Sequence, residues 1–422
     1  MNKKWYRLDT AALIFPVIRR RDWCNVFRLS ATLREEVDPA VLQQAADDLR
    51  PRFPSFYVCL RTGVFWHYLE ECEGPVTVQP DYSYPLSYMS RSETRRCCLR
   101  IFYYRNRIAV EFFHVVSDGR GGSIFLRNLL ARYLTLRHGV TVSPDEVIRD
   151  LAETPPPEEV EDSFFKNTSP VAASRREENA LRLRGEKEPD GFKHLITGIV
   201  SSPELLKTAH RYGVSVTAFL AAVMARCVIA MQAESRPVRA WKPVKITVPV
   251  DLRRIYGSKT LRNFSLVLNP GVDPRHGFYT LPELCSTISH QLKAGATRQN
   301  MAGMIAANVL SQKIPLLQIV PIGLKGLVMD GVYRRVGESK GCLNISNLGE
   351  LALPEALVPY VERLEFIIGP QRSYPNNCSV ASFGGKTYIN MIRNIRESDL
   401  EQRFFSTLVE EGLAVEIESN RR

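Results

Sequence analysis

Apolar residues along this chain alternate in short runs and recur at helical spacing between those runs, an interleaving that predicts a mixed α/β protein. Asn25 to Ala31 alternates as a strand does. Val41, Leu42, Ala45, Ala46 and Leu49 then fall at helical spacing within Pro39 to Leu49, and Pro54 in Arg52-Phe53-Pro54-Ser55-Phe56 stops that helix. An aromatic, hairpin-like stretch follows, Tyr57 to Leu69. Cys97 to Tyr104 and Ile108 to Phe113 flank Arg105-Asn106-Arg107, which predicts a hairpin with asparagine at its turn. In Gly121 to His138, the residues Ile124, Phe125, Leu129, Leu130 and Tyr133 make an apolar stripe that must be buried, pinning this helix against the sheet.

From about Glu153 to Gly191 the pattern lapses into Pro155-Pro156-Pro157 and charged residues with few large apolars, the composition of a linker. Beyond it, Leu195 to Val200 reads as a strand and a helix begins at Pro203. Val216 to Met231 has only Thr217 and Arg226 as strongly polar members, so this helix is predicted to be buried on most sides. Lys245 to Val250 is a strand ending in Pro249-Val250-Asp251-Leu252-Arg253-Arg254, and Leu261-Arg262-Asn263-Phe264 precedes another through Leu268. Leu281 to Leu292 and Ala302 to Leu310 read as helices. Cys342 to Gly349 is a strand with a turn, followed by strands near Leu364 to Ile368, Ser379 to Phe383 and Thr387 to Ile392. Gly384-Gly385 is the hairpin turn between the last two, and a helix starts at Ser398.

A chain of 422 residues exceeds what one core organises, so two domains are expected, 1–152 and 192–422, joined by the linker 153–191. Hydrophobic content of 45% and charged content of 24% are those of a globular protein. Lys and Arg number 56 against 45 acidic residues, a net charge of +11 that admits an anionic membrane surface or a polyphosphorylated small molecule as partner. Basic clusters are short, as in Arg19-Arg20-Arg21 and Arg421-Arg422, and lack interleaved aromatics, so nucleic acid is not expected. The nine cysteines are odd in number, form no Cys-x-x-Cys pair and lie partly in apolar runs, which predicts reduced thiols and a cytoplasmic location. The seven histidines are scattered without His-Glu-x-x-His, so no metal is expected. Thr10 to Ile18 runs into arginines without a cleavage site and is not read as a signal peptide. No transmembrane helix is expected either, since no uncharged apolar run reaches the required ~18 residues.

One stretch carries chemistry. Phe113-His114-Val115-Val116-Ser117-Asp118-Gly119 leaves a predicted strand and opens onto a predicted helix, the place where scaffolds hold reacting groups. Histidine takes and returns a proton near neutral pH. The step from His114 to Asp118 suits a tight loop, with Gly119 supplying backbone freedom or room for a ligand. Chance yields roughly 0.04 such matches in a chain of this composition.

The motif resembles the His-x-x-x-Asp-Gly signature of the acyltransferase superfamily that includes chloramphenicol acetyltransferase, alcohol acetyltransferases, plant acyl-CoA acyltransferases and nonribosomal peptide condensation domains. Many relatives carry a second histidine where this chain has Phe113. Pro249-Val250-Asp251-Leu252-Arg253 with Asn263 is similar to a second element of the superfamily, and implies that Arg253, in preference to Arg254, holds Asp118. Ser346-Asn347-Leu348-Gly349 resembles a third, implying that Ser346 or Asn347 donates to a developing oxyanion. Ala381-Ser382-Phe383-Gly384-Gly385 departs from the Asp-Phe-Gly-Trp-Gly of the plant enzymes, which points to the bacterial or fungal alcohol acetyltransferase-like branch.

The resemblance implies two chloramphenicol-acetyltransferase-like subdomains, each a mixed sheet with helices, around a central channel. It implies acyl transfer from acyl-CoA, as co-substrate, to a hydroxyl on a small molecule or lipid. His114 is then the base, Asp118 holds the loop and Gly119 keeps the channel open. Two alternatives stand beside it: a donor tethered to a carrier protein, and a non-catalytic binding protein of the same fold. Ile314 to Met329, apolar but broken by Pro315, Pro321 and Gly323, suits core packing, an acyl tunnel or peripheral contact with a membrane.

Overall fold

The structure is a computed structural model that describes residues 4–19, 25–174, 177–312, 319–333 and 337–420. Arg20, Arg21, Cys24, residues 313–318 of the broken apolar run, and Arg421-Arg422 lie outside the described residues.

Strands, numbered along the chain, form three sheets among the described residues. A five-stranded sheet has the order β13 (Val361–Ile368), β2 (Val26–Leu33), β7 (Arg107–Phe113), β6 (Leu99–Tyr104) and β5 (Val78–Pro80). An eight-stranded sheet has the order β10 (Ser265–Leu268), β9 (Val244–Asp251), β12 (Leu343–Glu350), β14 (Asn376–Phe383), β15 (Lys386–Arg393), β8 (His194–Ser201) and β16 (Glu416–Ser419), with β11 (Gly271–Val272) also on β9. A small sheet joins β1 (Trp5–Arg7), β4 (His67–Glu71) and β3 (Val58–Thr62). Both larger sheets are mixed: β5 runs parallel to β6, and β12 runs parallel to β9 and β14.

Each larger sheet buries one face under helices. In the N-terminal half, helix Gly119–His138 presents Ile124, Phe125, Leu129 and Leu130 to a core that also holds Phe27, Phe56 and Phe112. In the C-terminal half, helix Val216–Ser235 is the spine of a second core shared with helices Leu281–Gly295 and Asp399–Glu410. Among the described residues it alone is long and apolar enough to cross a membrane, but 61% of its most apolar window is buried inside the protein. Its lack of a polar face is that of a helix surrounded by protein.

The local chemistry accounts for most boundaries. Helix Pro39–Leu49 starts where Asp38 accepts from the Ala40 and Val41 amides and proline takes the first turn. Gly384 and Gly385 both have positive φ, +59° and +79°, as a tight primed turn between β14 and β15 demands. In the β6–β7 turn the left-handed residue is Arg105 (φ +50°), not asparagine. Asn106 instead donates its amide to the Leu33 carbonyl, tying the turn to the end of β2.

Two features depart from the sequence reading. Strand β13, far along the chain, hydrogen-bonds to β2, so the N-terminal sheet is completed by C-terminal residues. And the 153–191 stretch is anchored rather than a free linker: Glu159 accepts two hydrogen bonds from buried Arg52, and Phe164 packs edge-on against Phe264. Composition undercounts such a segment because one aromatic and one buried ion pair suffice to dock it.

Candidate active site

Strand β7 ends at Phe113 and the next residue, His114, is held by its own amide, which donates to the Asn25 carbonyl at 2.8 Å. The loop then turns into helix Gly119–His138, whose N-cap is Asp118. Asp118 therefore does two things with one carboxylate. It caps the helix by accepting from the Gly121 amide at 3.1 Å, and it receives both ends of the Arg253 guanidinium at 3.0 Å each. The Phe264 amide adds a fourth hydrogen bond at 2.9 Å.

Arg253 is in turn saturated. It also donates to the Asp251 carboxylate and to the Thr260 and Arg262 carbonyls, so its planar fork joins the end of β9, the 260–264 loop and the His114 loop. Arg254 is exposed. Burial opposes ionisation of Asp118, but the Arg253 charge and the convergent hydrogen bonds outweigh it, so the carboxyl lies below its ordinary range.

Asn263 sits on the same loop and faces His114. Its Nδ2 donates to the His114 carbonyl at 2.9 Å and to the Asp9 carboxylate at 3.0 Å, and its Oδ1 meets His114 Nδ1 at 2.9 Å. A carbonyl oxygen accepts only, so the amide nitrogen must point at the His114 backbone and Oδ1 toward the ring. Oδ1 in turn accepts only, so Nδ1 carries the proton. The neutral imidazole then keeps its lone pair on Nε2, and Nε2 has no hydrogen-bond partner among the described residues. Burial lowers the His114 pKa; the Asp118 charge and the Asn263 hydrogen bond pull it back without offsetting that effect. The side chain is half-buried, with Phe15 stacked on one ring face at 4.5 Å between centroids and Phe27 edge-on at 5.1 Å.

Asp9 holds the segment that carries Phe15. Its carboxylate accepts from the Ala12 amide at 2.8 Å and from Asn263, and burial pushes its pKa up to about 6 against the nearby Arg262 charge. Neither Asp9 nor Phe15 stands out in the sequence. Both lie about 100 residues or more from the side chains they meet, and no local pattern marks them.

The glycines divide differently from the sequence expectation. Gly119 has no left-handed backbone, and a Cβ there would meet the Leu348 and Phe366 side chains at 3.0 and 3.1 Å, a packed spot rather than open space. Gly121 is the residue with no room: a Cβ would fall 2.1 Å from the Leu261 carbonyl oxygen and 2.2 Å from Ser117 Oγ. Ser117 Oγ donates to that same carbonyl at 2.6 Å, so the helix start and the 260–264 loop touch directly.

Ser346 and Asn347 lie on β12, which meets the His114 loop through Leu348. Asn347 is committed at both ends, donating to Thr217 Oγ1 at 3.0 Å and accepting from the Gly349 amide at 2.8 Å. Ser346 precedes Asn347 in the regular part of the strand and so faces away from it, and its side chain has no hydrogen-bond partner among the described residues. The structure thus brings His114, Asp118, Arg253 and Asn263 into direct contact, while Ser346 lies two positions from the contact at Leu348. A cavity of about 430 Å³ lined by Arg182, Arg184, Arg236 and Lys242 is elsewhere, beyond the end of β9 opposite Asp251. Among the described residues no group of three or more metal-ligating side chains is assembled.

No family model matches the chain, and no curated protein is similar to it in sequence. Solved structures share its fold over nearly the whole length. TRI101 of Fusarium graminearum, complexed with coenzyme A and T-2 mycotoxin, matches with a TM-score of 0.65 at 11% identity, covering 98% of this chain and 100% of that one. Trichothecene 15-O-acetyltransferase TRI3 of Fusarium sporotrichioides gives 0.64 at 10% identity over 97% and 94%. The epimerization domain of the third module of tyrocidine synthetase B gives 0.59 at 11% identity over 97% and 98%. The fold is the one these solved structures share, two subdomains of mixed sheet and helix.

Proposed function

We propose that the protein is an acyltransferase that moves an acyl group from acyl-CoA to a hydroxyl acceptor, an alcohol or a lipid, with His114 as general base. The observation that carries this reading is the Nδ1-protonated, neutral imidazole of His114 with an unpartnered Nε2. In the reaction, Nε2 takes the proton from the acceptor hydroxyl as its oxygen attacks the thioester carbonyl. The tetrahedral oxyanion receives a hydrogen bond from Ser346 Oγ, which we favour over Asn347 because the Asn347 amide is occupied. Collapse breaks the carbon–sulfur bond, and the imidazolium returns its proton to the thiolate, releasing CoA and the ester. Asp118 takes no proton in this scheme; it positions the loop through Arg253. The likeness to acetyltransferases crystallised with coenzyme A supports acyl-CoA as donor. The likeness to an epimerization domain supports a second reading, in which the donor is tethered to a carrier protein.

A reducing compartment suits the eight described cysteines, all free thiols. The test is thiol release by the purified protein from acetyl-CoA and longer acyl-CoAs, supplied with alcohol and amine acceptors. Release that depends on a hydroxyl acceptor supports the first reading. Release with no free CoA thioester, but with an acylated carrier protein, supports the second.

A further inference from the structure

Helix Ile322–Tyr333 is turned inside out relative to an ordinary surface helix. Its lysine is buried: Lys325 is 4% exposed, its Nζ donates to the Phe65 carbonyl at 2.9 Å and lies 3.4 Å from the centre of the Trp66 ring. Its large apolar residues face out, with Leu324 61%, Leu327 74% and Val328 54% exposed. Positions 324, 327 and 328 stand at i, i+3 and i+4, one face of one helix, so the exposure is a stripe and not a scatter. The tip of the β3–β4 hairpin extends it. The Ile322 amide donates to the Val64 carbonyl at 3.0 Å, and Val64 and Phe65 are themselves exposed. A continuous apolar face of this kind marks an interaction surface.

Cations border that face. Arg61, on β3 below the hairpin tip, donates to the Arg95 carbonyl at 3.3 Å, which sets the short helix Arg91–Thr94 and the Arg95 and Arg96 that follow it beside the hairpin. Arg91, Arg95 and Arg96 are exposed and have no ion-pair partner among the described residues. Glu93, on the same short helix, pairs with Arg100, and Glu70 on the hairpin pairs with Arg61. Asp330, on the helix itself, is a lone acid among its twelve residues.

We propose that this face docks on an anionic lipid bilayer, with Leu324, Leu327, Val328, Val64 and Phe65 entering the headgroup boundary and Arg91, Arg95 and Arg96 meeting acidic headgroups. Apolar stripe and unpaired cations together fit that surface better than a second copy of this chain, whose own net charge of +11 would oppose the arginines. Helix Ile322–Tyr333 is too short to span, so it lies in the interface plane. The face also adjoins the candidate site. Gly326 abuts Val17, two residues from the Phe15 ring that stacks on His114, while Arg19 donates to Thr94 on the arginine side. The face thus adjoins the segment that lies over His114, which, on the acyltransferase reading, suits an acceptor or acyl chain drawn from the membrane.

The test needs no turnover, so its failure leaves the acyltransferase reading standing. Full-length protein is floated with phosphatidylcholine vesicles and with vesicles containing phosphatidylglycerol, at low and raised salt. Wild type is expected to float with the anionic vesicles and to be released by salt. Leu324→Ser/Leu327→Ser/Val328→Ser is expected to lower the bound fraction about tenfold, and Arg91→Gln/Arg95→Gln/Arg96→Gln to abolish the preference for phosphatidylglycerol. Both variants change exposed side chains and should keep the wild-type unfolding temperature. Wild type that floats with neither vesicle, or a serine variant that floats as wild type does, overturns the proposal. So does a wild-type dimer in sedimentation velocity that the serine variant dissolves, since the face is then covered by a second copy of the chain.

Discussion

Asn263 grips His114 at two points, donating to its carbonyl and accepting from its ring Nδ1, both at 2.9 Å. The backbone contact fixes which way the amide points, and the amide fixes which ring nitrogen is protonated. A side chain 149 residues away thereby sets the tautomer of the candidate base.

Replacing Asn263 with alanine should lower kcat roughly 10²-fold while leaving KM for the acyl donor near wild type, because the base is mis-set rather than the binding surface removed. The same variant should shift the acid limb of the pH profile downward, since the Asn263 hydrogen bond raises the His114 pKa. Equal losses in kcat and structure, with the limb unmoved, would assign Asn263 a packing role only.

The pH dependence has a definite direction. His114 has its pKa lowered by burial, so the neutral base persists below the ordinary histidine value of about 6.5. The acid limb of kcat/KM should therefore fall below that value; a limb above it would contradict the assignment. Stability moves the same way on acidification. Below about 6.5 the unfolded chain takes up a proton that folded His114 resists, and the stability lent by the lowered Asp118 pKa is lost as pH falls through its folded value.

Asp118→Asn should destabilise the fold by about 3 kcal/mol, because it takes from the buried Arg253 guanidinium its bidentate carboxylate and leaves Asp251 as the one remaining counter-charge. Adding Arg253→Met to that variant should restore part of the loss in urea unfolding, while activity stays low. A stable Asp118→Asn protein without activity would show instead that Asp118 takes part in the chemistry.

Gly121→Ala should be far worse tolerated than Gly119→Ala. At Gly121 the new methyl meets backbone and a hydroxyl at just over 2 Å, at Gly119 two apolar side chains that can shift. Thermal unfolding should show a loss of about 3 kcal/mol or more for the first and less than about 1.5 for the second. Comparable losses would mean that the helix start yields more than its contacts suggest.

Ser346→Ala should cut kcat by about 10²-fold with little change in stability. Asn347→Ala should instead cost about 1 kcal/mol in unfolding, through its lost bonds to Thr217 and Gly349. The reverse pattern would exchange their assignments.

Much of the fold was legible because local and tertiary demands agree in it. Helix Pro39–Leu49 announces its start with Asp38 and Pro39 and its buried face with Leu42, Ala45, Ala46 and Leu49. The Gly384-Gly385 turn announces itself by the φ values that only such residues accept readily. What was not legible depends on distant partners. A strand at Leu364 to Ile368 is readable, but nothing in it says that its neighbour is β2, more than 300 residues earlier. Phe164 looks like one aromatic in a polar stretch until Phe264 stands beside it. At the site, residue type and order pointed to His114 and Asp118, and the family resemblance to Arg253 and Asn263. The part played by Asp9 and Phe15 arises only when the N-terminal segment folds over the ring.

The most direct measurement compares thiol release from acyl-CoA by the wild-type protein and by His114→Ala, with a hydroxyl acceptor present and with the unfolding temperature of both recorded. The expected result is acceptor-dependent turnover in the wild type and a loss of about 10²-fold or more in a variant that folds normally. Turnover that persists in folded His114→Ala would remove His114 from the mechanism and with it the reading built on its free Nε2.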